Sequence, residues 1–121
     1  MKKVLIVEDE KILADLLAKK LKEESYDISL AHDGQEAFRK IREEKPDLIL
    51  LDIIMPKMGG FEVLEEMQKT PEVKNIPVIV ISNSGQPVEI SRALELGVKD
   101  YLIKTQFDPD EVVSKVKRQI G

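Results

Sequence analysis

The chain has 121 residues, of which 42% are hydrophobic and 35% charged, and its 19 Lys and Arg face 23 Asp and Glu for a net charge of -4. This length suits one domain that buries roughly two thirds of its unfolded surface. The mild acidity argues against direct nucleic-acid binding through a basic stripe, the absence of cysteine excludes disulfides and thiolate metal sites, and a single histidine leaves the usual zinc ligands short.

The opening MKKVLIVEDE carries an apolar run of four residues that ends in three acids. A secretory leader needs about seven or more apolar residues and a membrane span about twenty, so a soluble, cytoplasmic protein with no membrane association is expected. Within it, KVLIV (3–7) predicts the first strand, and Ile12, Leu13, Leu16, Leu17 and Leu21 then recur at helical spacing. DISLA (27–31) alternates apolar and polar residues, which suits an edge strand. Asp33 and Glu36 have capping-box spacing ahead of the helical Ala37, Phe38 and Ile41. DLILL (47–51) reads as a strand buried on both faces and runs straight into Asp52. Phe61, Leu64 and Met67 mark the third helix, and PVIVI (77–81) the fourth strand, which ends at Ser82. Ile90, Ala93 and Leu94 mark a fourth helix, with Gly97 as its left-handed cap. DYLIK (100–104) closes on Lys104, and Asp108, Pro109 and Glu111 start a last helix carrying Val112, Val113, Val116 and Ile120.

Five strands alternating with five helices predict an α/β fold, a doubly wound parallel sheet with helices on both faces. Right-handed crossovers favour the flavodoxin-like strand order 2-1-3-4-5. No repeat, linker or low-complexity segment interrupts the pattern, so residues 1–121 are expected to form one domain.

In such sheets ligands bind beyond the carboxyl ends of the strands, beside the switch point between strands 1 and 3. There the chain carries Glu8 and Asp9, Asp52, Ser82 and Lys104. Neighbouring strands lie about 4.8 Å apart, so Asp9 and Asp52 can share one small cation, and Lys104, two strands from Asp52, can reach across with its long stem. Acids held this close need positive charge among them, and Mg2+ with waters suits few carboxylates. A carboxylate flanked by a metal, an ammonium and a hydroxyl is arranged to receive a phosphoryl group. Each residue also has an ordinary reading. Asp9 serves equally as a helix cap, Glu8 and Lys104 as solvated charges, and Ser82 as a turn residue. Asp52 is hardest to treat so, because an acid after a two-faced apolar strand seldom lacks a partner, and five such coincidences at one sheet edge are improbable together. His32 is expected to be exposed and receives no role. Met55 and Met58 read as packing and loop residues, and Gly59–Gly60 as a turn that matches no P-loop spacing.

Taken together, VEDE, LLDIIMPKMGGFEVL around Asp52, VIVIS ending in Ser82, and GVKDYLIK ending in Lys104 resemble the CheY-like receiver domain of two-component response regulators, over essentially the full length. The resemblance implies that Asp52 accepts a phosphoryl group from a sensor histidine kinase or phosphotransfer protein. It implies Mg2+ on Glu8, Asp9, Asp52 and the backbone carbonyl of Ile54. Ser82, the Asn83 backbone and Lys104 would contact the phosphoryl group. Ser82 and Tyr101 would form the switch, and Ile54 and Ser84 would tune hydrolysis. The output face would comprise the fourth helix, fifth strand and fifth helix, read by a downstream effector or a second copy of the chain.

Three positions depart from the family's usual pattern. Thr105 follows Lys104 where a cis proline is common, and a cis bond before a non-proline costs roughly 2.5–4 kcal/mol, so a trans or strained loop is expected. Asn83 replaces a small residue, and Ile54 is apolar where polar side chains are common. The implied function is a phosphorylation-activated switch that catalyses its own phosphotransfer and autodephosphorylation but turns over no metabolite. The rivals are a phosphorylation-independent docking module with this fold and a magnesium-dependent aspartyl phosphatase. The phosphatase would want a second acid where the chain has Ile54.

Overall fold

The computed structural model describes residues 1–106 and 108–121. Five parallel strands, β1 (Lys3–Val7), β2 (Asp27–Ala31), β3 (Leu48–Asp52), β4 (Val78–Ser82) and β5 (Asp100–Ile103), form one sheet in the order β2-β1-β3-β4-β5. The intervening helices are α1 (Lys11–Glu23), α2 (Gly34–Glu44), α3 (Gly60–Gln68), α4 (Pro87–Glu95) and α5 (Pro109–Ile120).

Because β1, β3 and β4 are central, alternate residues of each point to opposite faces and both sets are buried. Leu5, Val7, Ile49, Leu51, Val78 and Val80 face a core closed by Ala37 and Ile41 of α2, Val63, Leu64 and Met67 of α3, and Ala93 of α4. Val4, Ile6, Leu48, Leu50, Ile79 and Ile81 face the other side, closed by Leu17, Ala18 and Leu21 of α1 and by Val112 and Val116 of α5. Each such Leu, Ile or Val contributes about 1.5–3 kcal/mol when fully buried. The outer strand β2 is only partly buried, as its alternation predicts.

The boundaries differ from the sequence reading where polar residues end the strands. Asp52 and Ser82 lie inside β3 and β4 as their last residues, Asp52 pairing in register with Ile81 and Ser82 with Ile103. β5 ends at Ile103, and Lys104 follows it, anchored by its N–H to the Ser82 carbonyl at 2.8 Å.

The helix starts are also resolved differently. Asp33 accepts the Glu36 N–H at 2.8 Å, but the Glu36 carboxylate takes the N–H of His32 at 2.7 Å and so leaves the expected capping box half made. Asp108 caps α5 through the Asp110 N–H at 2.7 Å, one residue earlier than the box spacing. Asp9 does not cap α1. The N-cap is Glu10, and its side chain makes no capping bond. Gly97 has φ of 92°, the left-handed conformation expected of it. His32 is exposed, and Met55 and Met58 pack against the core.

Candidate functional site

The site begins with the segment after β3, which is held tightly beneath Asp52. The Gly60 N–H bonds the Ile53 carbonyl at 2.8 Å, and a Cβ at Gly60 would lie 2.6 Å from both the Asp52 carbonyl oxygen and the Ile53 Cα. A Cβ at Gly34 would stand 1.8 Å from the Met58 carbonyl oxygen, so the start of α2 braces the same segment. Gly59 and Gly60 therefore serve a turn into α3, and Gly60 permits a close backbone approach. The Ile54 N–H donates to Asp52 Oδ1 at 3.2 Å, fixing one carboxylate oxygen from below.

The rim residues converge. Val7 pairs with Leu51, so Glu8 and Asp52 leave the sheet side by side. Glu8, Asp52 and Ser82 are buried, with 2%, 3% and 0% of their surface exposed, whereas Asp9 is exposed. Lys104, whose side chain is 8% exposed, reaches Glu8 at 2.9 Å, Asp52 Oδ2 at 3.1 Å and Glu10 at 3.2 Å. The readings of Glu8 and Lys104 as solvated charges therefore fail. An acid and a lysine with almost no exposed surface satisfy each other.

The charges shift as burial dictates. Desolvation pushes Glu8 up to about 7 from the ordinary 4.5, against the downward pull of the Glu10 N–H and of Lys104. Asp52 is also raised, chiefly by burial, with the Lys104 hydrogen bond opposing. Burial would lower Lys104, but its bonds to Glu8 and Asp52 prevail and raise it. One ammonium thus partly compensates two buried carboxylates. One oxygen each from Glu8, Asp9 and Asp52 lie within 4.8 Å of one another. A set of carboxylate oxygens with no nitrogen or sulfur donor fits a hard cation such as Mg2+.

On the β4 side, the Ser82 hydroxyl accepts the Ser84 N–H at 3.2 Å. Ser84 donates its own hydroxyl to Glu89 of α4, and its carbonyl accepts the Tyr101 hydroxyl at 2.8 Å. Tyr101 is half-buried, and its ring packs against the core shared with α3 and α4. Ser82, Tyr101 and α4 are thereby linked through one residue. Asn83 and Ile54 are exposed at the mouth of the site, Ile54 at 62%. The Lys104–Thr105 peptide is trans. A concavity of about 680 Å³, lined by Phe38, Arg42, Met58 and Val73 among others, contains none of these residues.

The sequence reading missed Glu10. The third acid of VEDE was visible, but nothing in its spacing distinguishes a carboxylate that turns back to Lys104 from one that faces water.

An acidic triad, a buried lysine and a buried hydroxyl thus stand at the ends of β1, β3, β4 and β5. The family model described as "Response regulator receiver domain" fits residues 4–117. The chain belongs to the response regulator receiver family. Among solved structures, this receiver domain is similar to the Francisella response regulator 1452 receiver domain, with 32% identity, TM-score 0.90, and 98% of this chain and 96% of that one covered. It also resembles the Vibrio cholerae chemotaxis protein CheY4, at 27% identity and TM-score 0.90 with 99% of each chain covered. A third similar structure is the signal receiver domain of a signal transduction histidine kinase from Syntrophus aciditrophicus, at 32% identity and TM-score 0.89 with 99% and 90% covered. The receiver fold accounts for the strand order.

Proposed function

We propose that this receiver is a cytoplasmic, phosphorylation-activated switch whose phosphoacceptor is Asp52. A carboxylate oxygen of Asp52 attacks the phosphorus of a phosphohistidine on a sensor kinase or phosphotransfer protein. The P–N bond breaks, and its electron pair returns to the imidazole. Water later attacks the same phosphorus, releasing phosphate and restoring the carboxylate. The observation that carries this reading is the Lys104 ammonium, nearly buried and 3.1 Å from Asp52. A nearly buried cation fixed beside the Asp52 carboxylate is placed to neutralise the charge of an incoming phosphoryl group.

Glu8, Asp9, Asp52 and the Ile54 carbonyl are the residues that would hold Mg2+, which when bound supplies further charge neutralisation to the phosphoryl oxygens. Ser82 and the Asn83 backbone contact the group, and Ile54 and Ser84 flank the approach of water and set its lifetime. When Ser82 turns toward the phosphoryl group, its bond to the Ser84 N–H is disturbed, and the Tyr101 and Glu89 contacts of Ser84 transmit the change to α4 and β5. The α4–β5–α5 face is then read by an effector or by a second copy.

The test is incubation with Mg2+ and a small acyl phosphate, followed by intact-mass measurement. A phosphoryl adduct that disappears in Asp52→Asn is expected. Hydrolysis of added phosphomonoesters would favour the phosphatase, and the absence of any adduct would favour a docking module.

A further inference from the structure

The concavity of about 680 Å³ lies away from the rim, between α2 and the connection from α3 to β4 (69–77). Its size falls within the roughly 300–1,000 Å³ of small-molecule sites. Its lining includes an apolar patch in which Val73 is 1% exposed and Phe38 and Met58 are half-buried. Phe38 and Arg42 stand at i and i+4 on α2 and so share a face, with the Arg42 guanidinium carbon 5.8 Å from the Phe38 ring centre. A ring and a guanidinium are two flat surfaces, and each favours a flat partner.

Charge adds a second requirement. Arg39 and Glu43, which also line the hollow, pair with each other at 3.3 Å and cancel. Among the described residues, Arg42 and Lys45 form no ion pair with a carboxylate, and Glu72 on the opposite wall forms none with a cation. Two unpaired cations thus face one unpaired acid, a local positive surplus on a chain whose net charge is -4. Cations in the last turn of a helix are ordinary, because they complement its dipole. These two border an apolar hollow, and that juxtaposition selects a ligand with an apolar body and an anionic end.

We propose that the hollow between α2 and residues 72–73 binds a small planar aromatic anion, its ring against Phe38 and its charge at Arg42 and Lys45. Glu72 opposes the charge of the ligand and lowers the affinity for any anion. The site shares no residue with the Asp52 rim and does not depend on the phosphoacceptor reading.

The test titrates anilinonaphthalene sulfonate, an aromatic monoanion, into the folded full chain and follows its fluorescence and the backbone amide NMR spectrum. N-phenylnaphthylamine, the same rings without the sulfonate, is the comparison. Saturable binding is expected, with amide shifts confined to α2, Met58 and residues 72–73. Arg42→Gln is expected to weaken sulfonate binding about two- to fivefold and Glu72→Gln to tighten it by a similar factor, the span of an exposed ion pair. The neutral compound should bind more weakly than the sulfonate and respond to neither substitution. Phe38→Leu keeps an apolar side chain but removes the ring, and it should weaken both compounds by about two- to tenfold. Equal affinity for the two compounds, or indifference to Arg42→Gln and Glu72→Gln, would overturn the proposal. So would shifts centred on the exposed Val88 and Leu94 of α4 or Ile12 of α1, or the absence of saturable binding. The same α2 shifts on concentrating the chain without any compound would assign the hollow to a second copy and overturn it as well.

Discussion

Replacing Lys104 by Met keeps the stem's length and removes the ammonium, leaving Glu8 and Asp52 as like charges in a dry pocket. Removing one partner from a buried ion pair typically costs about 3–5 kcal/mol, but carboxyls can escape by taking up protons, so the loss must depend on pH. In the intact protein Glu8 keeps its proton up to about pH 7, above the ordinary 4.5. The folded state therefore binds more protons than the unfolded state between those values, and stability falls as pH rises through that window. The full shift corresponds to roughly 3 kcal/mol at about 1.4 kcal/mol per unit. Without Lys104 the downward pull on both carboxyls vanishes, which extends the window above pH 7. Lys104→Met is thus expected to lose about 3 kcal/mol or more at pH 8 and about 1 kcal/mol at pH 5. Urea unfolding followed by circular dichroism in metal-free buffer measures both. Adding Glu8→Gln to Lys104→Met should recover a large part of the loss at pH 8. Equal losses at the two pH values would refute the electrostatic argument and point to simple repacking.

Gly60→Ala drives a methyl into the Asp52 carbonyl and the Ile53 Cα, both backbone atoms that cannot swing aside. Overpacking of this kind costs about 1–3 kcal/mol, offset by roughly 0.5–1 from better helix propensity, so a net loss in urea unfolding is expected and wild-type stability would contradict it. Arg92 of α4 lies 4.2 Å over the Phe61 ring and 3.2 Å from Glu65 of α3, so Arg92→Ala should lower stability by about 1 kcal/mol and loosen α4. Unchanged hydrogen exchange in α4 would count against that clamp. Ile54→Asn places an amide at the mouth above Asp52 and is expected to change the lifetime of the phosphoryl adduct severalfold, read by intact mass over time; an identical decay would remove Ile54 from the hydrolysis account.

The sheet was legible because β1, β3 and β4 are unbroken apolar runs, and only a two-faced buried strand requires those. Strand order followed from handedness, and the rim residues from polar groups terminating such runs. What the sequence could not convey were contacts decided by reach in three dimensions. In each expected capping box one acid took another backbone donor: Glu36 took the His32 N–H, and Asp108 took the Asp110 N–H. Glu10 received no role because its partner lies 94 positions away. Gly34 gave no sign that its missing side chain makes room for Met58.

The sheet divides the interior into two separate packings, while the polar machinery stands on the strand tips and the turns that follow them. Substitutions on the outward helical surfaces can accumulate without disturbing either. A lineage could in this way acquire new listeners for an old signal by repainting its exterior, leaving the acid, the amine and the hydroxyl where they stand.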